Sequence, residues 1–438
     1  MAPARAMSSG IKFSAVLISF ITAAPAPSPS TASKAAPTPA PPAALTLPQS
    51  IRPPVFLLPG SGSSTLDAAF TTPTLQRSCG NTSTVWIQDI SNLLSNATCI
   101  QQALPLTFNA TSNLWQNNTN ALISPHDFGG LTGVVGIPVD NPNIHPIWLA
   151  MVQMLQGQGY TVGRNLFGAP YDWRVSFYTL SRIGWFAQLQ KSIETAVKAN
   201  NNTKAVIAGH SLGTLVSTYF LGTYTTAAWR EDNIAAYVSF SGLYGGAATA
   251  FSQFIEGSSF GFNVSSATLW SSARTWGSLT QRAPIPEIWG NRVLISSRSK
   301  NYTAGDMRQL LNDLNLPQQV ATYDRIRSSI FNLTDSPLYV DVYCIMGNSI
   351  PTQTGLAYDV PAFNGSVPLS GGQATYGSGD GVVNQISLDE CLSLEPVKVL
   401  NYTGQDHGSV LGNPDILKTF VGILQNYSTP IQSSAVRG

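Results

Sequence analysis

Apolar runs that stop abruptly at glycine recur along this chain, with stretches of helical spacing between them. "RPPVFLLPG" (Arg52–Gly60), "KAVIAGH" (Lys204–His210), "AAYVSFSG" (Ala235–Gly242), "LYVDVYCIMG" (Leu338–Gly347) and "PVKVLNYTG" (Pro396–Gly404) each read as a short strand closed by a turn. Apolar positions at Ile147, Met151, Val152 and Leu155, and again at Phe186, Leu189, Ile193 and Val197, follow a helical period. "SLGTLVSTYFLG" (Ser211–Gly222) is helix-like as well. Such alternation predicts an α/β fold around a mainly parallel sheet. Two regions depart from it: Gln76–Pro138, rich in Asn, Thr and Gly, and the irregular Gly245–Asp335. The first reads as an excursion from the sheet and the second as a cap insertion, since long insertions in such folds cover or shape a site.

The first 50 residues carry no strand or helix pattern of this kind. Arg5 and Lys12 precede the apolar "FSAVLISFITAA" (Phe13–Ala24), which reads as a signal peptide over 1–24; an uncleaved signal anchor is the alternative. Residues 25–50, dominated by Pro, Ala, Ser and Thr, form a linker that cannot pack and suits O-glycosylation. The folded domain is then expected over 51–430. Eleven Asn-x-Ser/Thr sequons, from Asn81 to Asn426, and four cysteines agree with an exported protein. Four cysteines allow three pairings; their spacing favours Cys79 with Cys99 and Cys344 with Cys391, and it is not that of a zinc site. Lys+Arg 23 against Asp+Glu 22 leaves no basic field, so nucleic acid is not an expected partner.

Gly209-His210-Ser211-Leu212-Gly213 fits G-x-S-x-G between a strand-like and a helix-like run. That context makes Ser211 a nucleophile: small neighbours permit a sharp turn that pushes the hydroxyl out and aims the Leu212 N–H at a developing oxyanion. An ordinary Gly-Ser turn is the plain alternative. Of four histidines, His126 and His145 precede Ser211 and His210 lies within the turn, leaving His407 as base. The order serine, acid, histidine puts the acid between them, and Asp380 in "YGSGDGVVN" fits best over Asp341, Asp389 and Asp406. "LLPGSGSSTLDA" lacks the lysine of a phosphate loop and reads as the oxyanion loop, with the Ser61 backbone N–H as second donor. No metal motif and no cofactor are expected.

Together "VFLLPGSGSSTLDA", "GQGYTVGRNLFGAPYDWR", "AGHSLG", "VYCIMG", "GDGVVN" and "DHGSVLGNPDI" resemble the lecithin:cholesterol acyltransferase and lysosomal phospholipase A2 family of α/β-hydrolases. "APYDWR" (Ala169–Arg174) is the most specific segment. The resemblance runs from about Val55 to Leu424 and is weak through Gly245–Asp335. It implies a triad of Ser211, Asp380 and His407, a Cys79–Cys99 bridge closing a lid-like loop, and a second bridge, Cys344–Cys391. Asp172 and Arg174 are read as holding the loop beneath the site rather than as acting in chemistry. The chain departs from the family at Val382, at Ser61 and at "LYGGAATA" (Leu243–Ala250), the last implying a different acyl-pocket wall.

The expected activity is a secreted or lysosomal/vacuolar serine lipolytic enzyme. It would cleave a glycerophospholipid acyl ester and pass the acyl group to water or a lipid alcohol. Its expected partner is a phospholipid membrane or lipoprotein-like surface. A general esterase and a silent lipid carrier are the alternatives. Within the first cysteine loop "TVWIQDISNLL" offers Trp86 and Ile87 as candidate membrane contacts, with a short helix packed on the protein as the other reading.

Overall fold

Residues 50–86, 97–258, 260, 266–331 and 338–430 are described by a computed structural model of the chain. The expected signal peptide and nearly all of the linker lie outside them. Strand β1 (Val55–Leu58) is buried along its whole length, which is why its sequence is continuously apolar rather than alternating. Strands β2 (Leu66–Phe70), β3 (Thr82–Trp86) and β4 (Ala121–Pro125) form a small antiparallel sheet in the order β3-β2-β4. β5 (Leu166–Gly168), β6 (Ala205–His210), β7 (Ile234–Phe240) and β8 (Asp341–Asn348) follow. Then come the antiparallel hairpin β9 (Ile350–Ala357) and β10 (Gln373–Gly379), and finally β11 (Val397–Thr403). The central sheet has the order β5-β1-β6-β7-β8-β11, and every pairing in it is parallel.

The five apolar runs all become strands of that sheet. β5 escaped the hydrophobic pattern because three residues cannot show a period. Helices α1 (Pro73–Cys79) and α2 (Ala97–Ala103) are joined by the Cys79–Cys99 disulfide. α3 (Leu149–Gly157) and α4 (Trp185–Ala199) bury the apolar faces that the spacing marks, with Phe186, Leu189, Ile193 and Val197 all inside. α5 (Leu212–Tyr219) follows β6 directly. The cap region contributes α6 (Thr249–Glu256) and α7 (Gly277–Gln281), and α8 (Pro414–Asn426) closes the chain after β11. Cys344 on β8 is bonded to Cys391, which ties the sheet to the segment leading into β11. Among the described residues no helix is long and apolar enough to cross a membrane.

Trp86 is not a surface residue, and this corrects the expectation of a membrane contact. Its side chain is fully buried, its indole Nε1 donates to the Gly62 carbonyl at 2.7 Å, and its ring meets Trp173 and Phe260 with centroids 5.0 and 5.1 Å away. Thr84–Trp86 belong to strand β3, paired to β2. An indole with a satisfied N–H in an aromatic cluster would lose both on entering lipid. Ile87 and the apolar residues that follow it lie outside the described residues.

A buried cation just after β5 helps to hold the excursion in place. The Arg174 guanidinium, fully buried, meets Asp172 with two bonds of 2.8 and 2.6 Å. It also donates to the carbonyls of Ala103 and Leu104 and to Asn117 Oδ1. Asn117 belongs to a sequon, and its amide nitrogen is engaged as well, with the Ile123 carbonyl. Removing one member of such a pair strands the other charge. Arg174→Met is therefore expected to lower stability by about 3–5 kcal/mol. The double variant Arg174→Met/Asp172→Leu should recover part of that loss, as read by urea denaturation; equal losses would show that the pair is not the source.

Candidate active site

β6 turns into α5 through a single residue. Ser211 has φ 53 and ψ −124, a left-handed conformation that costs a non-glycine residue roughly 1–3 kcal/mol. Its N–H is held by the Phe240 carbonyl at 3.1 Å. The two motif glycines make room for the turn. A β-carbon on Gly209 would lie 2.9 Å from Ser217 Oγ, and one on Gly213 would lie 2.4 Å from the Leu58 carbonyl oxygen. Leu212, as the first helical residue, has an N–H without an intrahelical acceptor, at the positive end of the helix.

The loop after β1 runs beside this turn. A β-carbon on Gly60 would stand 2.9 Å from Ser211 Cβ and 3.3 Å from its Oγ. Ser63 N–H closes onto the Gly60 carbonyl at 3.2 Å, and Gly62 has φ +70, so Gly60–Ser63 forms a β-turn that needs glycine at its third position. The turn's single internal bond leaves the Ser61 N–H outside it. The "APYDWR" residues hold the same loop. Tyr171 Oη donates to the Pro59 carbonyl at 2.8 Å, and Trp173 Nε1 donates to the Ser64 carbonyl at 3.1 Å. Trp86, bonded to Gly62, clamps the turn from the other side. The two supports from Trp86 and Tyr171 were not read from sequence; the dense "APYDWR" string was the signal for one of them.

Asp380 and His407 meet across two loops. Asp380 follows β10 and is fully buried; its Oδ2 is 2.7 Å from His407 Nδ1. Oδ1 accepts from the Val382 and Val383 amides at 3.0 and 2.7 Å, and the His407 N–H bonds the Asp380 carbonyl at 2.8 Å. Burial alone would push this carboxyl up. The charge and hydrogen bond of His407, with the two amides, outweigh burial and hold it below its ordinary value. The other acids serve elsewhere: Asp341 accepts from Tyr427, Asp389 from Gln385, and Asp406 from the amides of Gly408 and Ser409.

His210 points back from the turn and braces the loop that carries His407. Its Nε2 is 2.9 Å from the His407 carbonyl, so Nε2 carries the proton, and the two imidazole centroids are 4.8 Å apart. Burial first, and then the neighbouring His407, push its basicity down to about 3. Among the described residues no group of three His, Cys, Asp or Glu side chains is placed to hold a metal.

The model of the family described as lecithin:cholesterol acyltransferase matches residues 81–336. A lecithin-cholesterol acyltransferase-like protein 1 of Oryza sativa subsp. japonica is 26% identical over 375 residues, covering 81% of this chain and 82% of the relative. Lysosomal phospholipase A and acyltransferase of Mus musculus is 25% identical over 385 residues, covering 85% and 90%. Phosphatidylcholine-sterol acyltransferase of Gallus gallus is 26% identical over 372 residues, covering 82% and 87%. Among solved structures, a chain of the crystallised Tle4–Tli4 complex superposes with a TM-score of 0.53 at 12% identity, over 86% of this chain and 99% of that one. The architecture is that of an α/β-hydrolase.

Gly60→Ala would drive a methyl group into Ser211. It is expected to lower kcat/KM on a soluble ester by about 10²-fold, the scale of losing an oxyanion donor. His210 generates a pH dependence of stability. The unfolded chain protonates it near the ordinary 6.5, whereas the folded chain resists until about 3. The stability tied to its neutral form is thus complete above pH 6.5 and erodes as pH falls towards 3. His210→Gln should flatten the fall in Tm between pH 7 and 4.5; an unchanged slope would place that loss elsewhere.

Proposed function

Because the chain belongs to the lecithin:cholesterol acyltransferase family, we propose that it is a serine lipolytic enzyme acting on glycerophospholipids through an acyl-Ser211 intermediate. The observation that carries this reading is the 2.7 Å contact between buried Asp380 and His407 Nδ1. With Nδ1 committed to the carboxylate, Nε2 is the nitrogen free to take the Ser211 proton. Ser211 Oγ then attacks the ester carbonyl carbon, and the carbonyl electron pair moves onto oxygen, facing the N–H groups of Leu212 and Ser61. Collapse restores the carbonyl, expels the lysolipid alkoxide and leaves the acyl group on Ser211. His407 gives its proton to that leaving oxygen. A water or lipid alcohol, deprotonated by His407, attacks the acyl-enzyme, and Ser211 regains its proton.

The enzyme belongs to the secretory-pathway lumen or the exterior, where its disulfides and sequons fit. It meets its donor at a phospholipid membrane or lipoprotein-like surface, and a lipid alcohol competes with water as acceptor. The activities that name the mouse and chicken relatives, one a phospholipase and acyltransferase and the other a sterol acyltransferase, support both fates. Purified protein should release fatty acid from phosphatidylcholine vesicles and, with a sterol or ceramide present, form the acylated acceptor. Ser211→Ala should lose both products by roughly 10⁴-fold or more. Product formation that survives in Ser211→Ala would overturn the reading.

A further inference from the structure

The oxyanion turn contains a hydroxyl with nothing to bond to. Ser61 Oγ is buried and has no hydrogen-bond partner among the described residues. Leaving a buried donor unpaired is costly, and a hydroxyl can normally rotate to find an acceptor. Its neighbours in the turn solve the problem differently: Ser63 Oγ reaches the Ser61 carbonyl at 3.4 Å, and Ser64 Oγ accepts from the Tyr171 amide at 3.1 Å. Ser61 is also the residue immediately after Gly60, which touches Ser211. The turn is immobilised on several sides, by Tyr171 at Pro59, Trp86 at Gly62 and Trp173 at Ser64. The loop that carries the unpaired hydroxyl is therefore held beside Ser211, one residue from the glycine that packs on it.

We propose that the Ser61 hydroxyl is a third oxyanion donor, adding a side-chain O–H to the backbone N–H groups of Ser61 and Leu212. This rests on the acyl-Ser211 reading above. When Ser211 Oγ bonds the carbonyl carbon, the π pair becomes a lone pair on oxygen, and Ser61 Oγ–H donates to it. No proton leaves Ser61, and the bond weakens again as the carbonyl re-forms. The ground-state carbonyl is a poorer acceptor than the oxyanion, so the contribution falls on the transition state rather than on substrate binding. Ser61 also stands where the family resemblance marks a departure, so this donor is a property of this chain's own residue.

The test uses p-nitrophenyl butyrate and a long-chain alkyl trifluoromethyl ketone, which forms a tetrahedral oxyanion on Ser211. Ser61→Ala should lower kcat by about 10²-fold with KM nearly unchanged. It should weaken the ketone by a similar factor, while affinity for the matching alcohol, which forms no oxyanion, stays constant. Ser61→Thr, which keeps the hydroxyl, should restore most of both. A kcat within two-fold of wild type in Ser61→Ala would overturn the proposal. So would equal weakening of ketone and alcohol, or a loss that tracks a lowered Tm and is not rescued by Thr. The soluble ester separates this outcome from the lipid assignment: an enzyme that cleaves it but not phospholipid sinks the latter and still measures Ser61.

Discussion

The geometry of the catalytic edge depends on turning the chain from strand to helix within one residue. Ser211 adopts a left-handed conformation that its side chain disfavours, and three nearby approaches exclude any β-carbon. Gly213 lets α5 press against the end of β1; Gly209 lets β6 press against α5; Gly60 lets the loop after β1 lie on Ser211 itself. The fully buried β6, paired on both sides, holds the strain. Strain of this kind persists only where surrounding packing over-determines it. The reward is a hydroxyl displayed at the sheet's carboxyl edge, with a helix N-terminus behind it.

Around that turn the protein builds a second layer whose members do no bond-making. Asp380 and His407 are joined by a side-chain contact and a backbone bond, so their two loops are tied at two points. His210 adds a third tie, to the His407 carbonyl. On the opposite flank "APYDWR" divides its work: Tyr171 and Trp173 fix the loop after β1, while Asp172 and Arg174 fix the disulfide-closed excursion. Trp86 links the two, since it ends β3 of the excursion and bonds the oxyanion turn at Gly62.

The inner strands were legible because buried parallel strands are continuously apolar, and the partly exposed edge strand β11 because its run, like theirs, stops at a glycine where the chain turns away. The pairing of Asp380 with His407 and the turn at Ser211 were legible because the proposed chemistry constrains residue order and neighbours: Ser211 needs its glycines, and Asp380 needs a loop at a strand end. What failed was whatever depended on distant partners. Trp86 in an Asn- and Thr-rich stretch looks the same whether it faces lipid or the rings of Trp173 and Phe260. β5 is too short to show a period, and the polar hairpin that delivers Asp380 shows no apolar run. His210 could be excluded as base from its place in the motif, but its bracing of His407 depends on a contact 197 residues away in sequence.

The central claim is that Ser211 is a nucleophile activated through His407 by Asp380. Its most direct test is the rate at which a lipid-like fluorophosphonate labels the intact protein, with the modified peptide located by mass spectrometry. The account predicts a single adduct on Ser211, slowed by roughly 10³–10⁴-fold in Asp380→Asn while Tm stays near the wild-type value. An adduct on another residue, or labelling at an undiminished rate in Asp380→Asn, would contradict it.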